Sequence, residues 1–358
     1  MRKRYINNGN NKKLSKNRTR SKTLIIVCIL VAVSIAGSIG AYSAMSGNGS
    51  REEDDVGKGT GSIFNSNSKI IGTWHDIHGV GLFPSGEDSS LYLATHNGLF
   101  NKKSNNSSGW MQVGSDKSDL MGFVISPTIE GVMYSSGHPS SMMGNLGFRK
   151  STDSGITWQT ISPVTSPTPV DFHAMAASPA DQNLLYGAPG GGNSLYVTHD
   201  EGKTWTTAEV PPAQIISLAA HPRDSNFVYA GTASGLFFSS EQGRNWQKID
   251  SKYLQNSSVT GLGFAADGNT LYAFVIPESD DDGYIVKSTD GAKTWTKTSG
   301  QIPGAEAAWK FSFGRTGEVY TIVNQDAPSG GVASSVYRSN DDGASWVLEG
   351  TNKKTIAG

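Results

Sequence analysis

Beyond residue 70 the chain alternates short apolar runs with polar, glycine-rich breaks, and the runs fall into groups of four. The first group is Gly79–Leu82, Leu91–Ala94, Gly98–Phe100 and Trp110–Val113, and the second is Met121–Val124, Val132–Tyr134, Gly147–Arg149 and Trp158–Ile161. Four more groups follow, beginning at His173, Ile216, Gly261 and Lys310 and passing through Trp205, Trp246, Trp295 and Trp346. Runs this short, rich in Val, Leu, Tyr and Phe and broken by turns such as Ala266-Asp267-Gly268-Asn269, predict antiparallel hairpins. The tryptophans leading the fourth runs are separated by 48, 47, 41, 49 and 51 residues. A period of that length marks one supersecondary unit copied six times. Four strands per unit, arranged radially, solve the problem of exposed sheet edges. The expectation is an all-β propeller of six four-stranded blades over residues 69–358. A partial seventh blade, built from Ile70–Trp74 or Lys354–Ala357, is the alternative.

Each tryptophan closes an octapeptide. The copies read STDSGITW (Ser151–Trp158), THDEGKTW (Thr198–Trp205), SSEQGRNW (Ser239–Trp246), STDGAKTW (Ser288–Trp295) and SNDDGASW (Ser339–Trp346), with a weaker KSNNSSGW ending at Trp110. Ser, Thr and Asp side chains bond to nearby backbone N–H groups, and Gly takes the positive φ that tight turns need. Asp153, Asp200, Glu241, Asp290 and Asp341 are therefore read as turn residues. Trp158, Trp205, Trp246, Trp295 and Trp346 are read as covers for the joins between blades.

The form SxDxGxTW resembles the Asp-box, or BNR repeat, of sialidases, sortilin-like receptors and photosystem-assembly-factor-like propellers. The resemblance spans nearly everything after residue 70. It departs at Glu241, at Ala292 where the box has Gly, and at Asn105 in the first copy. It implies a propeller and leaves function open, because the box occurs both in glycan hydrolases and in proteins that only bind. Sialidases would further imply three inward arginines, a Tyr–Glu pair and a loop Asp. Outside the first 23 residues only Arg51, Arg149, Arg223, Arg244, Arg315 and Arg338 are available. Most of these lie in the tether or beside boxes, which argues against a sialidase.

The formal charge of -1 conceals an asymmetry: nine of the 30 Lys and Arg residues precede residue 24. The remainder holds 21 basic against 31 acidic residues, which makes nucleic acid an unlikely partner of the repeats. After the basic leader (residues 1–23) comes the apolar stretch LIIVCILVAVSIAGSIGA, within a segment 24–44 that fits a transmembrane anchor or a signal peptide cleaved near Ala41-Tyr42-Ser43. Either places the repeats outside the cytoplasm, at the cell membrane or secreted. Cys28, the single cysteine, lies inside this stretch, so disulfides play no part in the propeller. Residues 45–68 read as a flexible tether.

Candidate chemistry gathers in loops between second and third strands: Ser136–Asn145, Pro277–Gly283 and Asn324–Ala333. Their shared topological position puts them on one end of the ring, the expected ligand face for a protein or glycan partner. Asp280, Asp281, Asp282 and Asp326 are the carboxylates that a glycoside hydrolase would draw on, and the Asp run equally suits a solvated loop or a Ca²⁺ site. All seven histidines follow residue 70. His78 and His173 open first strands, while His96 and His138 follow second strands, so the four can approach one another near the axis. With Met142 and Met143 nearby, imidazole and thioether suit copper or zinc. Three readings stand: a non-catalytic binding propeller, a cell-surface glycoside hydrolase, and an extracytoplasmic metal-binding protein.

Overall fold

The computed structural model describes residue 74 and residues 76–103, 109–140, 144–279, 282–326 and 332–352. The leader, the apolar segment 24–44 and the tether lie outside these residues, and so do Met142, Met143, Asp280 and Asp281. Blade 1 consists of β1 (Ile77–Gly81), β2 (Leu91–Thr95), β3 (Gly98–Lys102) and β4 (Met111–Val113). Blade 2 follows with β5 (Asp119–Ile125), β6 (Met133–His138), β7 (Phe148–Ser151) and β8 (Gln159–Ser162). Blade 3 holds β9 (Phe172–Ala177), β10 (Leu185–Pro189), β11 (Leu195–Thr198) and β12 (Thr206–Ala208). Blade 4 holds β13 (Ile215–Ala220), β14 (Val228–Thr232), β15 (Gly235–Ser239) and β16 (Gln247–Lys248). Blade 5 holds β17 (Ser257–Phe264), β18 (Leu271–Pro277), β19 (Tyr284–Ser288) and β20 (Thr296–Lys297). Blade 6 ends the ring with β21 (Ala307–Phe313), β22 (Val319–Asp326), β23 (Val332–Ser339) and β24 (Val347–Thr351). Every sheet is an antiparallel meander in chain order, and the first strand of each blade packs beside the first strands of its neighbours around the axis.

Six apolar clusters fill the gaps between sheets, and each draws on two adjacent blades. Leu99 and Val113 of blade 1 meet Leu120, Phe123 and Met133 of blade 2. Tyr272 and Phe274 of blade 5 meet Phe311 and Val319 of blade 6. The octapeptide indoles sit on these joins, each between its own blade and the preceding one. Trp158 covers the 1–2 cluster, Trp205 the 2–3 cluster, Trp246 the 3–4 cluster, Trp295 the 4–5 cluster and Trp346 the 5–6 cluster. Burying much of an indole stabilises a join by roughly 2 kcal/mol.

The octapeptides fold alike. In STDSGITW the Ser151 hydroxyl accepts from Gly155 N at 2.9 Å and donates to Asp153 Oδ1 at 2.8 Å. Asp153 in turn accepts from Thr157 N at 2.9 Å and from the Thr157 hydroxyl at 2.6 Å. The same four bonds recur around Asp200, Asp290 and Asp341. Glu241, one methylene longer, instead reaches the Asn245 amide at 2.7 Å. The glycine of the turn has a second task besides its left-handed φ. A Cβ on Gly202 (φ 86°) would lie 2.0 Å from Phe148 of blade 2, so the turn presses directly on its neighbour. Ala292 holds the equivalent place at φ 67°, against the usual preference of L-residues.

The ring closes by side chains. Trp74, 3 % exposed, joins Val80, Leu93 and Phe100 of blade 1 to Ile322 and Val336 of blade 6, with Trp110 packed alongside. Lys102 pairs with Glu349 at 2.7 Å. Arg315 of blade 6 donates to four carbonyls of the β1–β2 connection: Phe83 at 3.1 Å, Ser85 at 2.8 Å, Gly86 at 2.6 Å and Asp88 at 2.7 Å. Six blades therefore complete the circle, and the seventh is excluded. Trp74, from the stretch considered for it, is a wedge at the join.

Candidate functional site

The first strand of every blade slips register against the second at the same level. The shifts fall between Ile77 and Gly79, Asp119 and Gly122, Ile215 and Ser217, Val259 and Gly261, and Ala308 and Phe311; in blade 3, Phe172 and Ala174 are paired but His173 is not. An extra residue in one strand bends it and re-aims a side chain. The residues so displaced are His78, Leu120 with Met121, His173, Ile216, Thr260, and Trp309 with Lys310. All of these stations except that of Thr260 supply residues to a pocket at the centre of the ring, which Gln214, Asn324, Ser334 and Asp76 also line.

Lys310 is half-buried and reaches across the axis. Its amine donates to the carbonyls of Phe123 in blade 2 at 3.0 Å and Met175 in blade 3 at 3.3 Å. Burial without a carboxylate partner pulls this amine down to about 8.

On the loop face, blades 1 to 3 bring together the four histidines singled out from the sequence, in two pairs rather than around one point. His78 Nε2 stands 3.1 Å from Asp119 Oδ1, and His96 Nδ1 stands 2.7 Å from Asp119 Oδ2. His138 and His173 both present Nε2 to Asp171 Oδ2, at 2.9 and 2.8 Å. The pairs separate because each aspartate opens a different blade, Asp119 at the head of β5 and Asp171 just before β9. Gly190 makes the room for His173, since a Cβ there would lie 2.9 Å from its Nε2.

The electrostatics follow from the pairing. Burial would raise Asp119, but the imidazoles of His78 and His96 outweigh it and hold the carboxyl well below its usual range. Asp171 is lowered in the same balance, with burial opposed by His138 and His173. His96 is raised by its bond to Asp119 against burial, and His138 is raised to about 9 by its bond to Asp171, again against burial.

The remaining candidates scatter. Asp282 is exposed in the loop before β19, and Asp326 ends β22. His221 caps a turn, its Nδ1 accepting from the backbone of Arg223 and Asp224. The described arginines are all structural. Arg149 pairs with Asp116 beneath Trp158, Arg223 binds the Asp267–Asn269 turn, Arg244 binds the carbonyl of Glu241, and Arg338 pairs with Glu349. No three of them converge on the pocket, so the sialidase arrangement is absent among the described residues.

Asp119, Asp171, Trp309 and Lys310 went unrecognised in the sequence. A signal for the aspartates was present: Asp76, Asp119 and Asp171 each stand eight residues ahead of a proline, Pro84, Pro127 and Pro179. The aligned stretches DIHGVGLFP, DLMGFVISP and DFHAMAASP put His78, Met121 and His173 at one station.

Comparison with known proteins agrees with this architecture. The Sortilin-Vps10 family model, described as sortilin, neurotensin receptor 3, matches residues 148–256. A xyloglucanase from Paenibacillus sp is 26 % identical over 212 residues, covering 49 % of this chain and 20 % of the relative. Sortilin from Danio rerio is 22 % identical over 244 residues, covering 56 % of this chain and 30 % of the relative. The GH74 enzyme of Niastella koreensis superposes with a TM-score of 0.55 at 16 % identity, over 78 % of this chain and 46 % of that one. The chain thus spans about a fifth of the first xyloglucanases it matches. Fold and matches together show a six-bladed β-propeller that is similar, over part of its length, to sortilin and to xyloglucanases.

Proposed function

We propose that this chain is an exported, non-catalytic propeller that binds a glycan at the pocket on its loop face. The observation that supports this best is the pocket's lining: among the described residues a single carboxylate, Asp76, beside imidazole, amine, amide, hydroxyl and apolar groups. Hydrolysis of a glycosidic bond ordinarily needs two carboxylates facing each other across the sugar. Asp119 and Asp171, next to the pocket, are each held by a pair of imidazoles. Trp309, partly exposed, beside Gln214 and Asn324 offers what a sugar ring uses: an aromatic face and amides that bond hydroxyls. The xyloglucanase relatives suggest xyloglucan as the first ligand to try. They also support the second reading, a glycoside hydrolase of the cell surface. A sortilin-like protein partner is a third outcome of the same test.

The experiment is affinity electrophoresis against xyloglucan and other polysaccharides, run beside a reducing-end assay. Retardation without turnover, lost in Trp309→Ala, is the expected result. Turnover that disappears in Asp76→Asn would replace this reading with the hydrolase.

A further inference from the structure

We propose that His78, His96 and Asp119 form a binding site for a divalent transition-metal ion at the rim of the pocket. The inference is independent of which partner the pocket takes. The two imidazole nitrogens and a carboxylate oxygen all lie within 4.8 Å of one another. They come from three elements of two blades: the bulge of β1, the residue after β2 and the head of β5.

Proximity alone would describe an ion pair, and one detail separates this cluster from one. His78 Nε2 and Asp119 Oδ1 are 3.1 Å apart, at ion-pair distance, and both atoms are buried without a well-aligned hydrogen bond. A buried imidazole nitrogen and carboxylate oxygen that meet in this way present their lone pairs to a common point, as two ligands of one ion do. The neighbouring cluster shows the contrast. There both Nε2 atoms, of His138 and His173, point to the same oxygen of Asp171, and the His138 Nδ1 lies 3.3 Å from the Gly144 carbonyl. There the buried atom without a hydrogen bond is a carboxylate oxygen, Asp171 Oδ1, and both Nε2 atoms are engaged, so neither is left for a metal.

The surroundings suit an exchangeable ion. The Asp119 and His78 side chains are 8 % and 17 % exposed, whereas His96 is 52 % exposed, which leaves one side open for entry and for a further ligand. Two nitrogens and one carboxylate favour zinc or copper(II) over calcium or magnesium, which prefer all-oxygen shells.

The test uses the full chain, tag-free and stripped with chelator, titrated with ZnCl₂ by calorimetry and with Co²⁺ by visible absorption. Expected are one equivalent of Zn²⁺, d–d bands of a nitrogen-ligated Co²⁺ site, and a higher Tm with Zn²⁺ because the ion binds only the folded chain. His96→Ala, at an exposed position, and Asp119→Asn should each weaken binding about tenfold or more, while His173→Gln should leave it unchanged. Absence of stoichiometric binding overturns the site, and so does unchanged affinity in His96→Ala. Equal loss in His173→Gln would also overturn it, by moving the ion to the other cluster. Should Asp119→Asn fail to fold, His96→Ala still decides.

Discussion

The octapeptide turns and the inner bulges lie at opposite ends of the blades and obey opposite rules. At the turns one chemical solution repeats: a hydroxyl, a carboxylate and an indole, bonded alike in four copies, with glycine in three of them and Ala292 in the fourth. At the bulges the backbone device repeats, but the side chain changes around the ring: imidazole, thioether, imidazole, sec-butyl, hydroxyl and amine. The difference teaches where to look for function in a repeated fold. Positions that hold one blade against the next stay nearly the same from copy to copy, because the joins between successive blades have closely similar shapes. Positions that face the axis meet only each other and whatever enters the pocket, so they are free to diverge.

Substitutions can strain this contrast. The largest effect is expected at the turns. Gly202→Ala forces a left-handed alanine and drives its methyl into Phe148, costing about 3 kcal/mol in chemical denaturation. Gly291→Ala, at φ 73° with open space around it, should cost only about 1 kcal/mol. Equal costs would show that the glycine serves the turn alone and not the join.

Next comes the axis. Burial lowers the Lys310 amine to about 8, whereas an unfolded lysine titrates near about 10.4. The unfolded chain therefore binds the proton more tightly between these values. Stability should rise with pH across that window, by roughly 2 kcal/mol, and Lys310→Met should flatten the rise. A wild-type curve already flat from pH 8 to 10 would place the amine in water.

The smallest effect belongs to a single box carboxylate. Bonds from the backbone N–H and hydroxyl of Thr204 hold Asp200 down to about 2. Its folded pKa is depressed, so its contribution is complete above the unfolded value of about 3.9 and fades as pH falls towards about 2. Asp200→Ala should cost about 1 kcal/mol at neutral pH and progressively less in acid, read from urea midpoints at several pH values.

The turns were legible because their residues are short-range and their spacing is regular. Trp110, Trp158, Trp205, Trp246, Trp295 and Trp346 announce six units, and the Ser, Asp and Gly ahead of them announce the turn. The histidines stood out because His is scarce and gathers in repeats one to three. Their aspartates did not, since an acidic residue ahead of an apolar strand looks like any turn residue until burial is known. Lys310 was hidden for a related reason. In the alternation of Ala307–Phe313 a lysine reads as solvent-facing, and only the slipped register turns it inward. Loop length pointed to the end of the ring that holds the pocket but not to the residues that line it, because those come from the strand ends and not from the loop tips.

The way the circle is fastened has a mechanical consequence. Each sheet is woven from one uninterrupted stretch of chain, so among the described residues no backbone ladder crosses from blade 6 to blade 1. What holds that boundary is the Trp74 wedge, the Lys102–Glu349 pair and the fork of Arg315. Heat or tension should part the molecule at this clasp before any sheet unravels, turning a disc into a curved row of intact blades.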